Sequence, residues 1–413
     1  MSVADADDPF ADVSNVVPFQ PGPPAWMEEA IEAGYPKAVP PRPLTATPFV
    51  WRAETDVPAR QWLYGKHLIR RFLSVDVAAG GVGKSSVKVV EALAMTTGRN
   101  LLGRDVDETK LRVWLYNLED PQEETERRLL AAAKYYGIKP DDVGDRLFVD
   151  SGRDQPVCIA QETPNGASIV RPVVDSLVAE IKARGIDVLI LDPFVSSHAI
   201  SENDNRAIDL VAKEWARIAD VCNCSINLIH HVRKTNGTEA TADSARGASS
   251  LIGAARSVIV FNRMTKDEGE AAGIKPEQVG FHFRTQVDKA NLAPADAADW
   301  HRMNSVDLDN GDSVSVACRW EWPDAFSGVT TAKLMEVQRA VADGKWREDV
   351  RSGDRWVGNI IATVLAMDPD DERKRIQNIL RQWLKAGVLI VAEHDDEKRR
   401  PRKFVEVGEW VTE

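Results

Sequence analysis

From about residue 60 the chain alternates short runs that are apolar throughout with longer stretches whose apolar positions recur every three to four residues. The runs Phe72–Val77, Arg112–Asn117, Leu147–Asp150, Val188–Asp192, Ser225–His230 and Ser257–Phe261 predict strands. A strand apolar toward both faces needs cover on both, which is the condition of a parallel sheet flanked by helices. Helices are expected near Ser85–Thr97, Gln122–Tyr136, Ile169–Arg184 and Asn205–Val221. The pattern is that of an α/β domain over residues 60–325.

Past about residue 325 the texture changes. Helical stretches are expected near Thr331–Ala342, Arg355–Met367 and Asp371–Ala386, followed by β segments Val388–Ala392 and Lys403–Val407 around a polar turn. Ile376, Ile379, Leu380, Trp383 and Leu384 line one face of the third helix, with Lys374, Asn378, Arg381 and Lys385 elsewhere on the cylinder. Three helices and a hairpin match a winged-helix-like domain over 326–413, with Asp371–Ala386 as the recognition-type helix. Seven of the twelve tryptophans lie between 300 and 410 and are read mostly as packing. At the other end, eleven of 22 prolines fall within the first 58 residues, so residues 1–59 read as a mostly disordered segment with a short helix at Pro24–Ala33.

Composition narrows the field. No run approaches the ~18 apolar residues of a membrane helix, and the N-terminus is acidic where a signal peptide is basic, so the expectation is a cytoplasmic protein with no membrane partner. Four scattered cysteines fit neither a disulfide framework nor a zinc site. The net charge of −12 argues against coating nucleic acid through bulk charge. Residues 1–60 contribute nine acidic against four basic side chains, however, and basic residues cluster at Arg233–Lys234 and Lys398–Lys403. Nucleic acid is thereby confined to local contacts.

The strongest signal is Phe72–Ser86, FLSVDVAAGGVGKSS, a strand running into a small-residue loop that opens a helix. Consecutive backbone N–H groups of such a loop wrap phosphates, which bulky side chains would keep away. Gly80, Gly81, Val82, Gly83, Lys84, Ser85 and Ser86 are the expected ATP contacts, with Lys84 reaching the β- and γ-phosphates and the Ser85 hydroxyl ligating Mg²⁺. The pattern GxxxxGK[ST] asks for glycine at position 78, where this chain has Ala78.

Three strand ends supply the rest. VLILDPF ends a strand at Asp192, a second Mg²⁺-associated group. WLYNLEDP puts Glu119 and Asp120 past another, with Glu119 as the base that deprotonates water and Asp120 as the better cap for the next helix. INLIHHVRK places His230 and His231 at a third, where an imidazole can donate to the γ-phosphate; neighbouring strand residues face opposite ways, which disfavours a shared metal. Trp62 and Tyr64 are candidates to stack on adenine.

These motifs, with SARGASSLIGAARSVIVFNRMT downstream, resemble the RecA-like ATPases of the RepA type, plasmid and phage replication helicases that work as hexameric rings. The resemblance covers about residues 60–305. It implies a RecA-like P-loop core and makes Glu119 the catalytic glutamate, Asp192 the metal-associated aspartate and His231 the γ-phosphate sensor. It matches Lys234–Ala248 to a channel loop that touches single-stranded DNA, with Lys234 and Arg246 as contacts. Arg256 matches the arginine finger that completes a neighbour's ATP site, and Lys289 a second trans-acting element. The C-terminal third departs from the small helicase, which is expected to be nearly all ATPase domain. The implied function is an oligomeric ATP-driven motor on single-stranded DNA, in the service of a plasmid, prophage or mobile element. The alternative is a non-translocating ATPase switch whose C-terminal domain binds DNA or a replication protein. A small-molecule kinase shares only the phosphate loop.

Overall fold

The six apolar runs become the parallel part of one nine-stranded sheet: β1 (Leu73–Ala79), β2 (Val113–Asn117), β3 (Leu147–Ser151), β4 (Val188–Asp192), β5 (Ser225–Val232) and β6 (Ser257–Arg263). Strands β7 (His282–Ala290), β8 (Asp299–Asp307) and β9 (Ser313–Arg319) continue it antiparallel from β6. The order across the sheet is β9-β8-β7-β6-β1-β5-β4-β2-β3. This is an α/β core with a mainly parallel sheet. The computed structural model describes residues 45–106, 109–232, 239–241, 249–293, 298–322, 326, 329–395 and 401–411.

Helices cover both faces. Leu73, Val75 and Val77 of β1 pack with the side that carries α3 (Arg171–Arg184), α4 (Asn205–Cys222) and the short α5 (Ser249–Ala254). On the other side, α1 (Lys84–Thr97) and α2 (Gln122–Tyr136) pack against Leu115, Ile190, Ile229 and Phe261. Alternate residues of one strand thus serve two cores, as strand periodicity requires. The three antiparallel strands escape the sequence pattern for the same reason. Phe283, His301 and Ala317 are buried toward α1, whereas Gln286, Arg302 and Arg319 are exposed, so no continuous apolar run marks them.

Beneath α1 lies a buried polar network. Asp76 on β1 accepts from Asn227 Nδ2 (3.3 Å) and bonds His67 Nε2 (2.8 Å), and it pairs with Lys88 of α1. Lys88 also reaches Glu91 at 2.5 Å, and Arg104 bridges Glu91 (3.4 Å) and Asp299 (3.0 Å). Burial alone would raise the Asp76 pKa; Lys88 and His67 instead hold it below the carboxylate range. An Asp76→Ala variant leaves Lys88 short of a counter-charge in a dry core. It should cost about 3–5 kcal/mol of stability, read as a lower urea midpoint.

The chain separates into two units, Met1–Pro58 and Ala59–Glu413. In the first, the described stretch is extended apart from one 3-10 turn at Glu54–Asp56, with Phe49 and Trp51 exposed. The expected helix Pro24–Ala33 lies outside the described residues. Within the second unit, residues 329–411 have a core of their own. Helices α7 (Thr331–Ala342), α8 (Val357–Leu365) and α9 (Arg373–Lys385) precede a hairpin of β10 (Leu389–Asp395) and β11 (Pro401–Val407). Trp346 adds an antiparallel bridge to Val405. Ile376, Ile379, Leu380 and Trp383 are buried as the helical spacing predicts, with Leu384 half-buried, and Trp356 joins them. Among the described residues no helix is long and apolar enough to cross a membrane.

Candidate nucleotide-binding cleft

In a parallel sheet every strand ends at the same side, so groups at the carboxyl ends of β1, β2, β4 and β5 meet there. They line one cleft of about 680 Å³. The phosphate loop enters it from β1. Ala78, where glycine was expected, is a buried strand residue paired with His231 and Phe261, so no unusual dihedral is asked of it. The left-handed positions fall on Gly81 (φ 72°) and Gly83 (φ 103°), where a side chain would be strained. Gly83 has a second reason to be glycine: a Cβ there would stand 3.2 Å from Met303 Sδ.

Gly81, Val82, Gly83, Lys84, Ser85 and Ser86 line the cleft, whereas Gly80 is exposed at its rim. Lys84 opens α1 and is 5% exposed, with Nζ 3.4 Å from the Ala79 carbonyl. Burial lowers its pKa, opposed by the charges of Asp192, Glu119 and Asp76. The Ser85 hydroxyl donates to Asp192 Oδ2 at 2.8 Å, and His231 Nε2 stands 3.5 Å from Asp192 Oδ1. A hydroxyl and a buried carboxylate side by side are hard oxygen donors of the kind Mg²⁺ takes, so the residues fit that ion. His230 faces the other way, packs near Phe194, and is pushed down to about 4 by burial, which leaves it neutral at pH 7.

On the β2 side, Asn117 Oδ1 accepts the N–H groups of Glu119 (2.9 Å) and Asp120 (2.7 Å), fixing the turn after the strand. Asp120 does not cap α2 as expected; Arg128 donates to its carboxylate at 2.7 Å. The Glu119 side chain projects into the cleft's exposed mouth and makes no hydrogen bond or ion pair among the described residues. One carboxylate is held and its neighbour is free for solvent chemistry.

Other expectations need correction. The Ser86 hydroxyl is turned away from the loop, donating to the Ser315 carbonyl (3.1 Å) and accepting from the Ala317 N–H (2.8 Å), so only its backbone is left for a ligand. Lys289, expected to act on a neighbour's site, stands away from this cleft, and its Nζ donates to the carbonyls of Ile252 (2.7 Å) and Gly253 (3.0 Å) at the end of α5. Arg256 stands near it, exposed, with its guanidinium 5.7 Å from the Phe72 ring. Both sit where β6 begins, beside Leu73, at the end of the sheet opposite the phosphate loop. Tyr64 is core and Trp62 lies under Lys66; neither lines the cleft. Lys234 and Arg246 lie outside the described residues.

The sequence reading missed Arg263, whose Nη2 donates to the Gly81 carbonyl at 2.5 Å, and Arg127, Arg128 and Phe281, which also line the cleft. Arg263 ends β6 on the phosphate-loop side, the same strand-end signal that marked Asp192.

Residues 39–237, which include the phosphate loop, Glu119, Asp192 and His231, match the family described as AAA domain. The phosphate-loop side of the cleft therefore lies in a segment that matches a P-loop ATPase domain, whereas Arg263, Phe281 and Ser313 stand beyond the matched residues. A solved structure entitled "ATPase Domain of G40P" is similar at 12% identity, covering 56% of this chain and 82% of that one, with a TM-score of 0.40.

Proposed function

We propose that the chain binds and hydrolyses ATP in this cleft and works as an oligomeric, ring-forming motor on single-stranded DNA, of the helicase type. The observation that carries the ATPase reading is the meeting of Lys84, the Ser85–Asp192–His231 contacts and the unpaired Glu119 in one cleft. The loop N–H groups and Lys84 hold the β- and γ-phosphates. Glu119 orients a water and takes its proton as the water oxygen attacks the γ-phosphorus and the bond to ADP breaks. His231 donates to the γ-phosphate and releases when inorganic phosphate leaves. Mg²⁺ held by Ser85 and Asp192 would offset charge on the β- and γ-oxygens.

The oligomeric part rests on Arg256 and Lys289. Standing at the far end of the sheet, they cannot serve their own cleft, and an arginine that completes a neighbour's site ties hydrolysis to assembly. Arg256→Ala should bind ATP yet hydrolyse on the order of 10³-fold more slowly. Mixing it with Glu119→Gln should restore activity at hybrid interfaces; no rescue would refute the trans assignment. For DNA, the reading relies on Lys234 and Arg246 in the sequence that follows β5, and on a winged-helix-like role for residues 326–413.

One contact favours the switch as a second reading. Lys374 of α9 pairs with Glu270 in α6 (Lys266–Ala271), which ties the C-terminal helices to the segment leading into the cleft residues Gly280–Phe283. An ATPase assay with and without single-stranded DNA, run beside a sizing measurement, separates the two. Stimulation of a hexamer-sized species supports the motor; an unstimulated monomer supports the switch.

A further inference from the structure

The cleft extends well beyond its phosphate end. Its outer part is built by Phe281, just before β7, and by Ser313–Ser315 of β9. Phe281 is 55% exposed, whereas Phe283, two residues on, is buried and lies 3.4 Å from where a Gly83 Cβ would be. One ring supports the phosphate loop from beneath. The other is left with an uncovered face inside the same cleft.

Strand β9 is the outermost strand on this side of the sheet. Its backbone direction follows from its hydrogen bonds. The Ser315 carbonyl accepts from Ser86, the Ala317 N–H donates to Ser86, and the Ala317 carbonyl accepts from the Tyr136 hydroxyl at 2.8 Å. Residues 315 and 317 therefore turn their backbone groups away from β8. The Asp312 carbonyl, by contrast, takes the Leu308 N–H at 2.8 Å across the hairpin toward β8. In an antiparallel ladder the two directions alternate residue by residue. Ser313 must then face the free edge like Ser315, and the Ser313 carbonyl and Ser315 N–H form an acceptor and a donor side by side, both at exposed positions of the cleft.

We propose that Phe281 and this strand edge form the nucleobase subsite and select adenine. The ring supplies a stacking face, the Ser313 carbonyl accepts from the adenine 6-amino group, and the Ser315 N–H donates to N1. Guanine offers an oxygen at position 6 and an N–H at position 1, so each backbone group would face its own kind. A site built to hydrogen-bond a group discriminates sharply against a ligand that lacks it. The proposal rests on the ATPase reading of the cleft and adds the base to it.

The test is calorimetric binding of the β,γ-imido forms of ATP, GTP and purine riboside triphosphate, and of inorganic tripolyphosphate, to the full chain. The wild type should prefer the adenine nucleotide over guanine by about tenfold or more, with purine riboside triphosphate, which lacks the 6-amino group, also weaker. Phe281→Ala should weaken the adenine nucleotide on the order of tenfold, the scale of one lost base–aromatic stack, and leave tripolyphosphate unchanged. Phe281→Trp should keep the affinity. Ser315→Pro removes the N–H without touching the β8 ladder and should collapse the adenine preference. If that variant does not fold, purine riboside triphosphate carries the same question on the wild type. Equal binding of all three nucleotides with tripolyphosphate still bound overturns this proposal alone, as does a Phe281→Ala loss shared by tripolyphosphate or no loss at all. Failure of the wild type to bind tripolyphosphate overturns the phosphate-loop reading and this proposal with it.

Discussion

Lys84→Ala is expected to abolish measurable ATP turnover. Removal of one preorganised charge stabiliser costs on the order of 10²–10³ in kcat, and here binding is lost as well. The ammonium is buried at the start of α1, and burial works against its charge even with Asp192 and Glu119 nearby. An arriving triphosphate supplies the missing counter-charge, so binding and lysine ionisation support each other. Without Lys84, the triphosphate meets Asp192 and Glu119 with no cation of the loop between them. Since the free protein carries the cost of burying that ammonium, the variant should be no less stable without ligand. The ATP-induced stabilisation, about 2.7 kcal/mol at a hundredfold excess over Kd, should vanish. Phosphate release and a thermal shift with and without ATP measure both. Turnover at the wild-type rate would remove the central claim.

The legible part of this molecule is the part where one rule governs both pattern and position. Strands covered on both faces must be apolar throughout, which made β1, β2, β4, β5 and β6 visible as runs. Because those strands are parallel, a polar residue at the end of a run is carried to the same side of the sheet, and that alone brought Glu119, Asp192 and His231 together. The same logic puts Arg256, which precedes its run, at the opposite end. The rule fails where cover is one-sided. Strand β8 runs Trp300, His301, Arg302 and Met303 in four consecutive positions, and β7 and β9 are similarly mixed, so neither the strands nor the cleft wall they form could be read. Local spacing misled in two places. Ser86 follows the phosphate-loop pattern, yet a strand over 220 residues away claims its hydroxyl, and Tyr64, aromatic and close in sequence, is consumed by the core. No short window contains such partners.

Glu119→Gln should separate binding from chemistry. The amide keeps the size and the hydrogen-bonding reach of the side chain but cannot take a proton, and loss of a general base costs about 10²–10⁴ in rate. Its neighbour makes the assignment testable, because two carboxylates adjoin and only one is free. Asp120 is held by Arg128 at 2.7 Å and by Asn117 at 3.3 Å, so its charge is spent on shaping the turn. Glu119 owes nothing to that turn except its backbone, since its N–H bonds Asn117 and its carbonyl accepts from Arg153 at 2.6 Å. Substitution of the side chain therefore leaves the turn in place, and ATP should bind Glu119→Gln as tightly as the wild type. Asp120→Asn should instead loosen the Arg128 contact and cut the rate by a smaller factor, with weaker nucleotide binding. Single-turnover hydrolysis and equilibrium binding on both variants decide between them. A near-normal rate for Glu119→Gln beside a deep loss for Asp120→Asn would move the base to Asp120, and would require Arg128 to release it when ATP binds.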